Sequence, residues 1–210
     1  MVEDIELPEQ RLRFVFDVAG VLLNFDPDVV LEPLFQNTGR SLDVFHTEIC
    51  GSEFHGRISR GDEPTLVIEE TCRRYPDWEQ EIRLWESRFD DMLTGSLEGT
   101  VSVVEELKER NHRVYLLGNW HRNEFVRAAL RFDFLNWFDD VLLSSDCGVL
   151  KPDPEIFALA EQQFELQPAD TVFIDDREDN VRAALDRNWN GIVFESERHL
   201  YLTLMDSGIL

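Results

Sequence analysis

The sequence predicts an α/β protein, a doubly wound parallel sheet carrying an inserted all-helical cap. Three observations lead there. Short apolar runs recur along the chain, helical patterns separate most of them, and one long stretch after the first run shows helical patterns only. The runs are Arg13 to Val18, Arg113 to Leu117, Val141 to Ser144, Thr171 to Asp175 and Gly191 to Phe194. Being continuous instead of alternating, they read as strands buried on both faces, as in a parallel sheet.

Helices fall between them. Residues 100 to 110 set Val103, Val104 and Leu107 at helical spacing, with Glu105, Glu106, Lys108 and Glu109 on the polar side. Residues 154 to 164 form a second helix opened by Pro152-Asp153-Pro154, and residues 178 to 187 a third. Such alternation builds right-handed crossovers, with the ligand site beyond the carboxyl ends of the strands. Between Asn24 and about Met92 only helical patterns appear: Val29 to Phe35, Leu42 to Ile49, Pro64 to Arg74 and Trp78 to Phe89. The expected division is a core of residues 1–23 and 93–210 and a helical cap of residues 24–92. An insertion leaving the carboxyl end of strand one sits over the site, as a lid would.

Composition narrows the function classes. Hydrophobic residues make up 43% and charged residues 30%, the profile of a soluble globular chain. No apolar run approaches the ~20 residues that span a membrane. The acidic start, Met1 to Glu6, lacks the basic and apolar regions of a signal peptide, so the expected location is cytoplasmic. Cys50, Cys72 and Cys147 show no metal-ligand spacing and read as reduced thiols. A net charge of −23 argues against a nucleic-acid partner, which needs a basic surface. Lysine occurs only at positions 108 and 151; the other basic residues are arginine. Adaptation to high salt and a GC-rich genome both account for that bias.

Chemistry-bearing residues gather where the predicted strands end. Asp17 closes strand one, Gly118-Asn119 follows strand two, Lys151 follows strand three, and Asp175-Asp176 closes strand four. In a parallel sheet these ends share one edge, so three carboxylates and one ammonium converge. Crowded carboxylates raise one another's pKa unless a cation neutralises them. Oxygen ligands suit Mg²⁺, which also holds a substrate phosphate. A carboxylate so placed can attack phosphorus and form an aspartyl-phosphate, with Lys151 offsetting charge.

These segments carry a resemblance. Asp17-Val18-Ala19-Gly20-Val21, then Gly118-Asn119, then Lys151-Pro152-Asp153-Pro154, then Asp175-Asp176 is similar to the four motifs of the haloacid dehalogenase-like superfamily. Closer similarity is to the bacterial glucose-1-phosphatase-like group, related to the N-terminal phosphatase domain of soluble epoxide hydrolases. The resemblance implies Asp17 as nucleophile and metal ligand, the Ala19 backbone carbonyl and Asp176 as further ligands, and Asp175 as a second-layer or water-mediated metal partner. It implies Lys151 as the phosphate-neutralising lysine and Gly118 and Asn119 as substrate-binding positions.

Two positions depart from the family pattern. Ala19 stands where most phosphatases of the superfamily carry an Asp as general acid and base. Such catalysis contributes about 10²–10⁴-fold, so its loss matters least for a leaving group stable as an anion, such as an acyl phosphate or an anomeric sugar phosphate. Gly118 stands where Ser or Thr normally donates to the phosphate, a bond to charge worth about 1.5–3 kcal/mol. Other residues have two readings. His55, His112 and His121 are either surface or half-buried histidines or stand-ins for the missing acid. Trp120 is a leaving-group wall or a packing residue. Trp78, Trp85 and Phe89 fit the cap's own core, and Arg57 and Arg60 a solvated helix face.

The expected function is a Mg²⁺-dependent phosphatase acting on a small phosphorylated metabolite, such as a sugar phosphate, as a monomer or homodimer without nucleic-acid or membrane partners. Its rivals are a metal-independent 2-haloacid dehalogenase and a weak or inactive member that binds a phosphorylated ligand or a protein.

Overall fold

A computed structural model describes residues 11–36 and 38–210; the acidic start lies outside them. All five apolar runs are strands of one parallel sheet. They are β1 (Arg13–Phe16), β4 (Arg113–Gly118), β5 (Asp140–Leu143), β6 (Thr171–Asp175) and β7 (Asn190–Val193), in the order β5-β4-β1-β6-β7. In register, Phe16 faces Leu116 on one side and Ile174 on the other.

The continuous apolar character of the strands has a simple cause. Phe14, Phe16, Val114, Leu116, Val172 and Ile174 pack into one buried cluster. The alternate residues Val15, Tyr115, Leu117 and Phe173 pack into a second. Since side chains alternate across a strand, both faces of the sheet are covered.

Two further strands, β2 (Leu23–Phe25) and β3 (Leu93–Ser96), form an antiparallel ribbon. This corrects one expectation, because Asn24 and Phe25 belong to a strand. Three residues are too few to show a period, and pairing with β3 fixes them instead.

Between β2 and β3 run α1 (Asp28–Phe35), α2 (Leu42–Val44), a π-helical turn (Phe45–Ile49), α3 (Ser52–Ser59), α4 (Pro64–Arg74), α5 (Glu79–Ser87) and α6 (Phe89–Met92). The predicted helix from Trp78 to Phe89 is thus broken at Arg88. After β3 come α7 (Glu98–Glu109), α8 (Arg122–Arg131), α9 (Ser144–Cys147), α10 (Pro154–Gln163), α11 (Glu178–Leu185) and α12 (Glu197–Asp206). Asp153 caps α10, its side chain accepting from Glu155 N, and Pro154 sits in the first turn, where its missing N–H costs nothing. Among the described residues no helix is long and apolar enough to cross a membrane.

Candidate active site

The central strand delivers the first functional side chain. The backbone N–H of Asp17 donates to the Ile174 carbonyl at 2.9 Å, extending the β1–β6 pairing by one residue. The chain then turns sharply: Leu22 and Leu23 both donate to the Val18 carbonyl, and Gly20 donates to the Leu23 carbonyl. Gly20 has φ +85°, a conformation glycine adopts without penalty. A Cβ there would lie 2.7 Å from Asp176 Oδ2, so the turn is built against that carboxylate. Among the described residues no hydrogen bond ends on the Ala19 carbonyl.

Around Asp17 the strand ends supply a charged cluster. Lys151 Nζ donates to Asp17 Oδ1 at 2.8 Å and to Asp175 Oδ2 at 2.7 Å, its side chain only 1% exposed. Asp175 is wholly buried and held from three sides. Besides Lys151, it accepts from Asn180 Nδ2 at 2.9 and 3.0 Å and from the Arg177 backbone N–H at 2.9 Å. Its main role in this geometry is to hold Lys151. Asp176, next in the chain, is exposed to the cavity.

The electrostatics call for a cation. Oxygens of Asp17, Asp175 and Asp176 all lie within 4.8 Å of one another. One ammonium against three carboxylates leaves negative charge unmatched. Burial pushes the Asp17 carboxyl up to about 6, against the pull of Lys151 and with Asp175 adding to the rise. Burial alone would lower the Lys151 ammonium, but the two carboxylates outweigh it and hold it above its ordinary value. Hard oxygen donors, an unengaged Ala19 carbonyl and a glycine pressed against Asp176 make a donor set that fits a divalent ion such as Mg²⁺.

The substrate-binding positions behave differently from expectation. Asn119 lines the cavity, but its amide is engaged by Lys151: Asn119 Nδ2 donates to the Lys151 carbonyl at 2.9 Å, and the Lys151 N–H donates back to Oδ1 at 2.8 Å. Asn119 therefore positions the lysine. At Gly118 a Cβ would meet Val18 Cγ2 at 3.3 Å and Leu143 Cδ2 at 3.5 Å, a tight, apolar corner.

A cavity of about 290 Å³ opens over the cluster. Its far wall holds Phe25, Ile58, Trp85, Phe89 and Trp120, with His55, Ser59 and Glu124 as the polar members. Trp85 and Phe89 are thus both core and lining, two roles that helical spacing cannot separate. His55 lies tilted against Trp85, ring centroids 4.4 Å apart, and burial lowers its imidazole to about 4. His121 is spent on capping α8, where it accepts from Asn123 N. His112 accepts from Leu12 N, and Arg57 pairs with Asp62 and Glu70.

Sequence reading did not single out Ser59, Ser144, Arg177, Asn180 or Glu124. The Ser59 hydroxyl donates to the Asn119 carbonyl at 3.4 Å, and the Ser144 hydroxyl donates to the Ser59 carbonyl at 2.5 Å. Only tertiary contact across 60 and 85 residues reveals these links. For Asn180 the available signal was nearness in sequence to Asp175, the carboxylate to which it donates.

A sheet edge of this kind, with its aspartate, lysine and aspartate pair, defines a hydrolase site, and comparison with known proteins agrees. The haloacid dehalogenase-like hydrolase model matches residues 13–186. The chain belongs to that family. It is 28% identical over 182 residues to the D-ribitol-5-phosphate phosphatase of Bacteroides thetaiotaomicron, covering 80% of this chain and 84% of the relative. It is 29% identical over 178 residues to the sesquiterpene phosphatase astK of Aspergillus oryzae, covering 81% and 83%. A haloacid dehalogenase family enzyme from B. thetaiotaomicron, solved with magnesium and inorganic phosphate, superposes with a TM-score of 0.75 at 19% identity. It covers 91% of this chain and 98% of that one, a likeness of fold.

Proposed function

We propose that this hydrolase is a Mg²⁺-dependent phosphomonoesterase acting on a small phosphorylated metabolite through an aspartyl-phosphate at Asp17. One observation carries the reading: Asp17 is gripped by Lys151 at 2.8 Å within a carboxylate trio whose charge demands a cation. Relatives named as phosphatases for ribitol 5-phosphate and for sesquiterpene phosphates support the reaction class. They differ too widely to fix the leaving group.

Asp17, the Ala19 carbonyl and Asp176 would hold the ion, with Asp175 behind them. When bound, it supplies positive charge against the phosphoryl oxygens. The Asp17 carboxylate bonds to phosphorus while the ester P–O bond breaks, and the leaving oxygen departs with the electron pair and takes its proton from solvent. Lys151 stabilises charge on the transferring group, held in place by Asn119 and Asp175. Water then attacks the acyl phosphate, releasing inorganic phosphate and returning Asp17 as a carboxylate. Residues 24–92 act as the cap that shuts solvent out.

The test is phosphate release from a panel of phosphoesters, run with Mg²⁺, with EDTA and with Asp17→Asn. Release abolished in both controls is the expected result. Chloride release from a 2-haloacid that survives EDTA would overturn it in favour of a dehalogenase. No turnover, with ligand still bound, would mean a binding protein on an enzyme's scaffold.

A further inference from the structure

Two features of the cavity, seen at opposite ends, select the leaving group. At the cap end the wall is a continuous train of rings. Centroids of Phe25 and Trp85 lie 6.0 Å apart, Phe25 and Phe89 5.6 Å, and Phe89 and Trp120 6.0 Å, with Ile58 beside them. Trp85, Phe89 and Trp120 are each less than 10% exposed, so each packs mainly into the core and borders the cavity with a limited part of its ring. The polar groups there are Glu124, Ser59 and His55. The Ser59 hydroxyl is engaged with Asn119, and His55 lies against Trp85. A polyhydroxylated leaving group would strand hydroxyls against rings, each losing its water without a partner. A flat apolar one would stack.

At the phosphate end, the position that carries the acid in most phosphatases of the superfamily holds none. Ala19 lines the cavity two residues beyond Asp17 with a methyl group. Lys151 is clamped between two carboxylates. Burial keeps the His55 imidazole neutral at physiological pH, so it carries no imidazolium proton to pass on. A site so equipped suits a leaving group that departs as a stable oxyanion.

We infer, building on the phosphatase reading, that the substrate is an aryl phosphate: a phosphomonoester of a ring-borne, acidic hydroxyl, stacked on the Phe25–Trp85–Phe89–Trp120 wall. Both an anomeric sugar phosphate and an aryl phosphate ease the lack of an acid, and the ring-lined wall selects the second. The reaction balances without an enzymic acid. Asp17 bonds to phosphorus, and the aryl oxide leaves with the P–O electron pair. Water then cleaves the acyl phosphate; one of its protons stays on the phosphate and the other reaches the aryl oxide through solvent.

Because aryl esters are intrinsically reactive, the first test measures binding instead of turnover. Naphthylmethylphosphonate and a polyhydroxyalkyl phosphonate of matched size are titrated into the Mg²⁺-loaded protein, followed by calorimetry and by tryptophan fluorescence. The expected result is at least tenfold tighter binding of the naphthyl compound, with quenching; equal or weaker binding overturns the inference. The second test is Ala19→Asp. It should raise kcat/KM at least tenfold for alkyl phosphates and less than threefold for aryl phosphates. An equal gain for both would mean that a donor already serves the leaving group, and would also overturn it. Hydrolysis that favours polyol phosphates defeats this inference alone. Binding of neither phosphonate, with no phosphate released from any ester, defeats the phosphatase reading beneath it.

Discussion

Asn119 and Lys151 are joined head to tail: the asparagine amide donates to the lysine carbonyl, and the lysine N–H donates back to the amide oxygen, at 2.9 and 2.8 Å. The pair ties the loop after β4 to the loop carrying the buried ammonium, 32 residues later. Whatever phosphate affinity Lys151 provides depends on this tie.

Asn119→Ala should therefore act on chemistry more than on binding of the leaving group. Two backbone groups lose their partner, costing about 1–3 kcal/mol of stability. With the Lys151 backbone no longer pinned, the ammonium shifts against Asp17, and kcat should fall about 10–100-fold while KM changes less. Urea unfolding and steady-state kinetics check both parts. An unchanged kcat in a destabilised protein would reduce Asn119 to a structural residue.

The Asp17 carboxyl links metal to pH. Its folded-state pKa is raised to about 6, so the metal-free folded protein holds a proton that the unfolded chain has already released. This group's contribution to stability is therefore greatest below the ordinary carboxyl range and is lost as pH rises through about 6. Above that, an ionised Asp17 is a liability that Mg²⁺ relieves. The rise in melting temperature on adding Mg²⁺ should be larger at pH 7.5 than at pH 5, and addition near pH 6 should release protons. Equal gains at both pH values would remove Asp17 from the ion's ligands.

Gly20→Ala tests the turn that faces Asp176. The backbone at φ +85° costs an alanine roughly 1–2 kcal/mol, and the new Cβ would push on a carboxylate oxygen 2.7 Å away. Both stability and apparent Mg²⁺ affinity should fall, the affinity about tenfold or more by metal titration of phosphate release. Gly208→Ala is the control. It carries the same strain, at φ +69°, with nothing within 4 Å, and should leave the metal response alone.

Salt should matter to the whole molecule. A net charge of −23 repels itself, and added KCl screens that repulsion. The melting temperature should rise from low salt to molar KCl, by about 2–4 °C for each ~1 kcal/mol relieved. A flat response would assign the arginine-for-lysine bias to coding composition instead.

Much of this site was legible in the sequence because sheet geometry does the assembling. Once Phe14 to Phe16 and Val172 to Ile174 read as buried strands of one parallel sheet, Asp17 and Asp175 had to fall on one edge, and Lys151 had only that edge to reach. What sequence could not supply was direction. Asn119 was expected to face a ligand and turns its amide to Lys151. Trp85 and Phe89 have spacing that reports burial, but no spacing tells whether a buried ring borders a void. Asn24 and Phe25 pair with a strand some 70 residues away, a contact without a local signature. Ser59 and Ser144 join the site only because the end of α3 touches the start of α9.

That last contact has a mechanical meaning. Ser144 holds the Ser59 carbonyl, Ser59 holds the Asn119 carbonyl, and Asn119 holds Lys151, a run of hydrogen bonds from the insertion down to the buried lysine. A movement of α3 away from the sheet breaks its upper links. The grip itself does not run through α3: Asn119, Asp17 and Asp175 all keep hold of Lys151, so a door hung on these two serines can swing without disturbing the hand behind it.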